Sequence, residues 1–186
     1  MKITTKTGDD GFTSMYLGGR MRKDDIRTEV CGALDEACSF LGMARSLIRN
    51  KAAKNMISGI QKELLSLCSE ASAHPARALS VKAKVGAQAI RRIERLIDGL
   101  ESKRPRHSFC FSLPGEDPVS SIFHIARSVV RKAERRAVTL YKGSGLNKNM
   151  VIYLNRLSDL LYLIAVDFEN TQGRTADKRY LKITVC

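Results

Sequence analysis

Apolar residues recur at spacings of three and four along most of the chain, and five such stretches stand out. Ile26, Val30, Leu34, Ala37, Phe40, Leu41, Ala44 and Leu47 mark an amphipathic helix that begins near Asp24. A second pattern runs from about Ala52 to Ala73 through Met56, Ile60, Leu64, Leu67 and Cys68, and stops before Pro75. A third spans about Val81 to Leu100 on Val85, Ile90, Ile93 and either Leu96 or Ile97. The fourth starts near Pro118, a residue tolerated in a first turn, and continues to about Tyr141. The fifth covers about Met150 to Asn170. The stretches between them read as connections: a Pro-containing segment at 101–118 and a Gly-Ser-Gly turn at 142–149. Residues 1–22 hold four glycines among Thr, Ser and Asp, so they predict a loop. After Gly173 comes a basic tail with room for a short strand at Leu181–Val185. No strand alternation or internal repeat competes with this pattern. It predicts an all-α, five-helix up-and-down bundle in one domain over 1–186, with a loop at 1–22, the bundle at about 24–170 and a tail at 171–186.

Composition narrows the partners. A chain of 186 residues buries about 70% of the surface its unfolded form exposes, enough for a core without disulfide or metal staples. With 44% hydrophobic and 27% charged residues, bulk disorder is excluded. The longest apolar run, Leu160 to Val166, is far short of the roughly twenty residues that span a bilayer. The polar N-terminus does not read as a signal peptide. Five scattered cysteines with no C-x-x-C pair argue for reduced thiols in a cytoplasmic protein, and against a disulfide framework or zinc site. The net charge of +13 raises nucleic acid, an anionic membrane or a phosphorylated small molecule. Segment 77–106 carries a net +6 and the tail 171–182 a net +3, neither with any site motif, so most of the excess reads as solvated surface.

Three segments concentrate chemistry. In Lys6-Thr7-Gly8-Asp9-Asp10-Gly11-Phe12-Thr13-Ser14, glycines allow close backbone approach while N–H groups, hydroxyls and a Lys can surround phosphate oxygens. The Walker spacing is absent, and a plain turn accounts for the same composition. On helix four, Arg127, Arg131, Glu134 and Arg135 lie at helical spacings. They are either a solvated basic face or a set of forks for an anion or a carboxylate. On helix five, Asn155, Ser158 and Asp159 share a polar face inside an apolar helix and require partners there. Asp35 in helix one poses the same question, with an Arg as the expected answer. His124, one of three histidines, reads as a hydrogen-bonded structural residue before a metal ligand. Phe109 and Phe111 precede Leu113-Pro114-Gly115 and either pack on the bundle end or face a flat apolar ligand.

In this order the segments resemble the PduO-type ATP:cob(I)alamin adenosyltransferases. The match rests on KTGDDGFTS at 6–14, RKDD at 22–25, GALDE at 32–36, FSLPG at 111–115, HIARSVVRKAER at 124–135 and YLNRLSDLL at 153–161. Six motifs in register over roughly half the chain make the signature specific. The resemblance implies a ferritin-like five-helix bundle that assembles as a homotrimer, with sites between subunits. It implies transfer of the 5′-deoxyadenosyl group of ATP to cob(I)alamin, giving adenosylcobalamin and triphosphate. By the same resemblance Thr5, Lys6, Thr7, Gly8, Asp9, Gly11, Thr13 and Ser14 wrap the triphosphate, with Lys23, Arg131, Glu134, Arg135 and Asn155. Arg127 pairs with Asp35 across the interface. Phe111 lies under the corrin and excludes the lower axial ligand, with Leu113 and Asp35 also on the cobalamin side. Mg²⁺ is expected, carried mainly by the ATP phosphates, and a flavoprotein-type reductant fits the need for cobalt(I). Membrane partners are not expected, and nucleic acid is disfavoured.

Five positions depart from the family pattern: Ser112 replaces an aliphatic residue, Glu116 stands where a second glycine is common, Asp117-Pro118 follow it, and Lys132 replaces an Arg. Two other readings stand beside the enzyme: a basic helical bundle that binds nucleic acid without catalysis, and a family member that escorts or senses cobalamin.

Overall fold

The computed structural model describes residues 3–81, 85–103, 113–115, 117–144 and 147–172. Five α-helices form among them: α1 Ile26–Leu47, α2 Lys51–Ala71, α3 Ala87–Glu101, α4 Pro118–Ser144 and α5 Lys148–Gln172. The starts of α1, α2 and α4 have a local cause. Asp25 caps α1 by accepting the Arg27 N–H at 2.8 Å, and Asn50 caps α2 by accepting the Ala53 N–H at 3.0 Å. Asp117 accepts the Ser120 N–H at 2.8 Å, with Pro118 in the first turn, where its missing N–H costs nothing.

α1 packs against α2 and α4, and α5 against α4 and α3. Cross-helix pairs set the directions. On α1 and α4, Glu36 meets Lys132 and Glu29 meets Arg136, so the two run antiparallel. On α4 and α5, Ser120 meets Glu169 and Glu134 meets Asn155, again antiparallel. The core joins all five helices through Leu34, Ile60, Ile93, Val130 and Leu157, each almost wholly buried. A buried polar knot closes the ring: Tyr153 on α5 donates to Glu63 on α2 at 2.6 Å, and Arg92 on α3 pairs with the same carboxylate. Burial, and then the Glu63 charge, hold the Tyr153 phenol well above the usual range, so it stays a donor.

Two expectations need correction. The third helix starts at Ala87, after a 3-10 turn at Pro75–Ser80, so Val81 and Val85 are buried ahead of it. Residues 1–22 are not loop throughout. Strands β1 Phe12–Ser14 and β2 Arg20–Arg22 pair antiparallel with Thr13 opposite Met21. Three-residue strands are too short to show alternation, and the turn between them puts Leu17, Gly18 and Gly19 at positive φ. The hairpin is tied to the bundle: Tyr16 bridges Ala73, and Arg77 donates to the Leu17 carbonyl at 2.7 Å. The short strand expected in the tail lies outside the described residues.

Candidate functional site

The Gly-rich segment is a folded loop. Arg20 on β2 reaches back to donate to the Thr7 carbonyl and to Asp10 Oδ1 at 2.9 Å, and its guanidinium lies 5.6 Å from the Phe12 ring centre. This hydrogen bond, followed by the Phe12 N–H, holds the Asp10 carboxyl below its ordinary range. Gly11 has φ +82, a left-handed conformation that a side chain resists, and its carbonyl accepts the Lys23 N–H at 2.9 Å. Gly8 is a close-approach glycine: a Cβ there would stand 3.1 Å from Lys23 Nζ. Lys23 is thereby set against the loop. Thr5 and Thr7 hydroxyls lie 3.0 Å apart, while Thr5, Lys6, Thr7, Asp9 and Ser14 are exposed and Thr13 is partly covered.

The second group lies on α4 and α5. Arg127, Arg131 and Glu134 follow at i, i+4 and i+7, so they form one stripe along α4. The stripe faces α5: the Arg127 guanidinium lies 5.5 Å from the Tyr162 ring centre, and Glu134 Oε1 accepts from Asn155 Nδ2 at 3.1 Å. Arg156 then donates to Asn155 Oδ1 at 2.7 Å and fixes the amide orientation. Ser158 satisfies its hydroxyl on the Asn155 carbonyl, and Asp159 lies 4.0 Å from Arg156. The polar face of α5 is therefore partnered within the chain. Arg131 and Arg135 are exposed and make no ion pair with a described residue. Lys132 and Arg136 point the other way, to Glu36 and Glu29 on α1. The basic run of α4 is thus split: Lys132 and Arg136 pair with α1, whereas Arg131 and Arg135 make no ion pair with a described residue.

Asp35 is exposed on α1 and makes no ion pair with Arg127 within the chain. Leu113 is 76% exposed, a large apolar side chain turned to solvent beside the start of α4. Phe109 and Phe111 lie outside the described residues. No hydrogen bond or ion pair among the described residues joins the loop group to the α4 stripe. A cleft of roughly 690 Å³ opens between the hairpin and the start of α1, lined by Arg20, Met21, Asp25, Arg27 and His74. None of the residues assigned to ATP borders it, so motif and geometry weigh more than cavity size in placing the site.

His124 is structural, as its context suggested: it is buried and its Nε2 lies 3.1 Å from Glu169. The described residues contain no group of three or more His, Cys, Asp or Glu placed to hold a metal. Cys31, Cys38 and Cys68 are free thiols packed against the core. A hydrogen bond with Cys68, and then burial, push the Cys31 thiol far up, which makes it a poor nucleophile. No helix among the described residues is long and apolar enough to cross a membrane. Sequence reasoning overlooked Arg20 and Tyr162. Arg20 could have been suspected from its place opposite Ser14 once a hairpin is allowed, but Tyr162 looks like any core aromatic.

Comparison with known proteins agrees with this geometry. The family model for cobalamin adenosyltransferase matches residues 3–167. A corrinoid adenosyltransferase of Citrobacter freundii is 33% identical over 171 residues, covering 91% of this chain and 96% of that protein. The human corrinoid adenosyltransferase MMAB is 35% identical over 97% of this chain and 74% of its own length. Among solved structures, a variant PduO-type ATP:corrinoid adenosyltransferase from Lactobacillus reuteri, complexed with cobalamin and ATP, superposes with a TM-score of 0.81. It is 30% identical, and the match covers 91% of this chain and 93% of that one. With the family model matched over most of its length, the chain belongs to the cobalamin adenosyltransferase family.

Proposed function

We propose that this protein transfers the 5′-deoxyadenosyl group of ATP to cob(I)alamin, releasing triphosphate. The observation that carries the reading is the stripe Arg127, Arg131 and Glu134 against Asn155, on a chain of this family with a Lys23-braced Gly-rich loop. In the reaction the cobalt(I) electron pair attacks the 5′ carbon, the cobalt–carbon bond forms, and the C5′–O bond breaks with its pair leaving on triphosphate. No proton has to move in this step, so no general base is needed. Arg131, Arg135, Lys23 and the N–H groups of the 6–14 loop bind the triphosphate and stabilise the charge that develops on it. Holding the 5′ carbon in line with cobalt is the other contribution, through positioning.

Mg²⁺ fits the donor set: Glu134 is a single carboxylate oriented by Asn155, and Mg²⁺ is commonly held by one or two carboxylates plus substrate phosphates. Bound there, it would supply further charge neutralisation on the phosphates. Among the described residues no hydrogen bond or ion pair joins the loop group to the α4 stripe, which supports a homotrimer in which the loop of one subunit meets the stripe of the next. Arg127 would then reach Asp35 of a neighbouring copy. Phe111 and Leu113 serve the corrin side, where an apolar surface in place of an axial donor eases reduction of cobalt(II), by a flavoprotein-type reductant. The test is direct: incubate protein, ATP, Mg²⁺ and chemically reduced cobalamin, and follow the spectrum. Adenosylcobalamin formation is expected; its absence overturns the reading.

A further inference from the structure

Behind Arg127 stands a column of side chains that the reaction does not itself require. Ser120 is fully buried and donates its hydroxyl to Glu169 Oε1 at 2.7 Å. His124, 6% exposed, lies 3.1 Å from the same oxygen through Nε2. An ionised carboxylate only accepts, so Nε2 carries the proton and the imidazole orientation is fixed. The ring of His124 meets Tyr162 edge to face, with centres 6.1 Å apart and planes at 66°. A further partner of Tyr162 is the Arg127 guanidinium, 5.5 Å from the ring centre. Four contacts thus run from the buried Ser120 hydroxyl through Glu169, His124 and Tyr162 to one half-buried cation, alternating between α4 and α5.

We propose that Tyr162 is a positioning residue for Arg127: its ring face holds the guanidinium plane, and the Ser120–Glu169–His124 group holds the ring. This rests on the reading of Arg127 given above. The physical basis is that an arginine offers two different surfaces. Stacking on an aromatic ring uses the flat face of the guanidinium, whereas a carboxylate is bound through the N–H edges. Contact with Tyr162 therefore leaves the edges of Arg127 available and restricts the plane in which they can meet a carboxylate such as Asp35 of another copy. A long side chain that would otherwise sample many rotamers is restricted before the partner arrives.

The test has one arm that does not depend on turnover. A guanidinium over a ring face feels the ring current, so the Arg127 Hε resonance should lie upfield in the whole protein. It should return to the ordinary arginine position in Tyr162→Leu or Tyr162→Met and stay upfield in Tyr162→Phe. The second arm is a double-mutant cycle with Arg127→Ala, read as adenosylcobalamin formation with the melting curve as a check on folding. Tyr162→Leu should lower kcat about tenfold while leaving KM for ATP within about twofold, and Tyr162→Phe should restore it. On the Arg127→Ala background Tyr162→Leu should add almost nothing, because the ring acts through the arginine. An Arg127 resonance unmoved by loss of the ring overturns the inference, as does a full tenfold loss on top of Arg127→Ala. A wild-type protein without turnover would instead overturn the assignment of function, with the resonance still reporting on Tyr162.

Discussion

The N-terminal hairpin and the seam between α4 and α5 each hold a carboxylate against a nitrogen donor, yet they are built on opposite principles. The Arg20–Asp10 pair of the hairpin is about half exposed on both sides, at 47% and 54%. The His124–Glu169 pair of the seam is 7% and 11% exposed. An exposed pair adds little to stability and is easily exchanged for water or another ion. A buried pair costs desolvation and, once formed, tolerates no loss of a partner. The loop pair can therefore be exchanged readily, while the seam pair holds its groups in place.

Four substitutions test that contrast, in falling order of effect. Leu157→Ala removes a fully buried side chain from the centre of the seam and should lower stability by about 3 kcal/mol, seen as a shifted urea midpoint. Arg131→Ala should lower kcat/KM for ATP roughly a hundredfold with the melting temperature unchanged, since the residue is exposed and makes no ion pair with a described residue. Near-normal kinetics would remove Arg131 from the phosphate site. Asn155→Ala leaves Glu134 without its donor and should cost about 1 kcal/mol in stability, together with weaker ATP binding by calorimetry. Asp10→Asn should change only KM for ATP, by about threefold, with no change in melting. The sign with pH follows from the depressed Asp10 carboxyl. Its contact with Arg20 is complete above the ordinary carboxylate range and is lost as pH falls through the lowered value. The wild-type loop should thus loosen only in strong acid, and Asp10→Asn should abolish that dependence. If Asp10→Asn instead destabilised the whole fold, the contrast between the two regions would fail.

How far the sequence reaches depends on the length of the signal. Helices of 15 to 27 residues give several turns of periodicity, and their ends fall within a few residues of expectation wherever Asp25, Asn50 or Asp117 caps them. α3 was misjudged because Val81 and Val85 are buried without being helical. The hairpin was missed because three residues per strand hold no readable period. For the proposed site, Lys23, Arg131, Glu134 and Asn155 can be singled out because the motifs fix their spacing. Tyr162 cannot: its meeting with Arg127 depends on the register of α5 against α4, which the packing of Val130, Ala133, Leu154 and Leu157 decides. Asp35 and Arg127 make no ion pair within the chain, so their pairing rests on the proposed homotrimer.

The bridge from Tyr16 to Ala73, with Arg77 holding Leu17, sets an order of events in folding. The turn at 15–19 is local and can form within microseconds, but its anchor lies some sixty residues later, beyond two helices. Closing that span pays only once α1 and α2 have paired, because the far end of α2 has no fixed place before then. The hairpin is therefore among the last elements to dock, although it precedes the bundle in the sequence. A segment rich in glycine and charge is well suited to that wait, since it offers little apolar surface to aggregate while the bundle assembles around it.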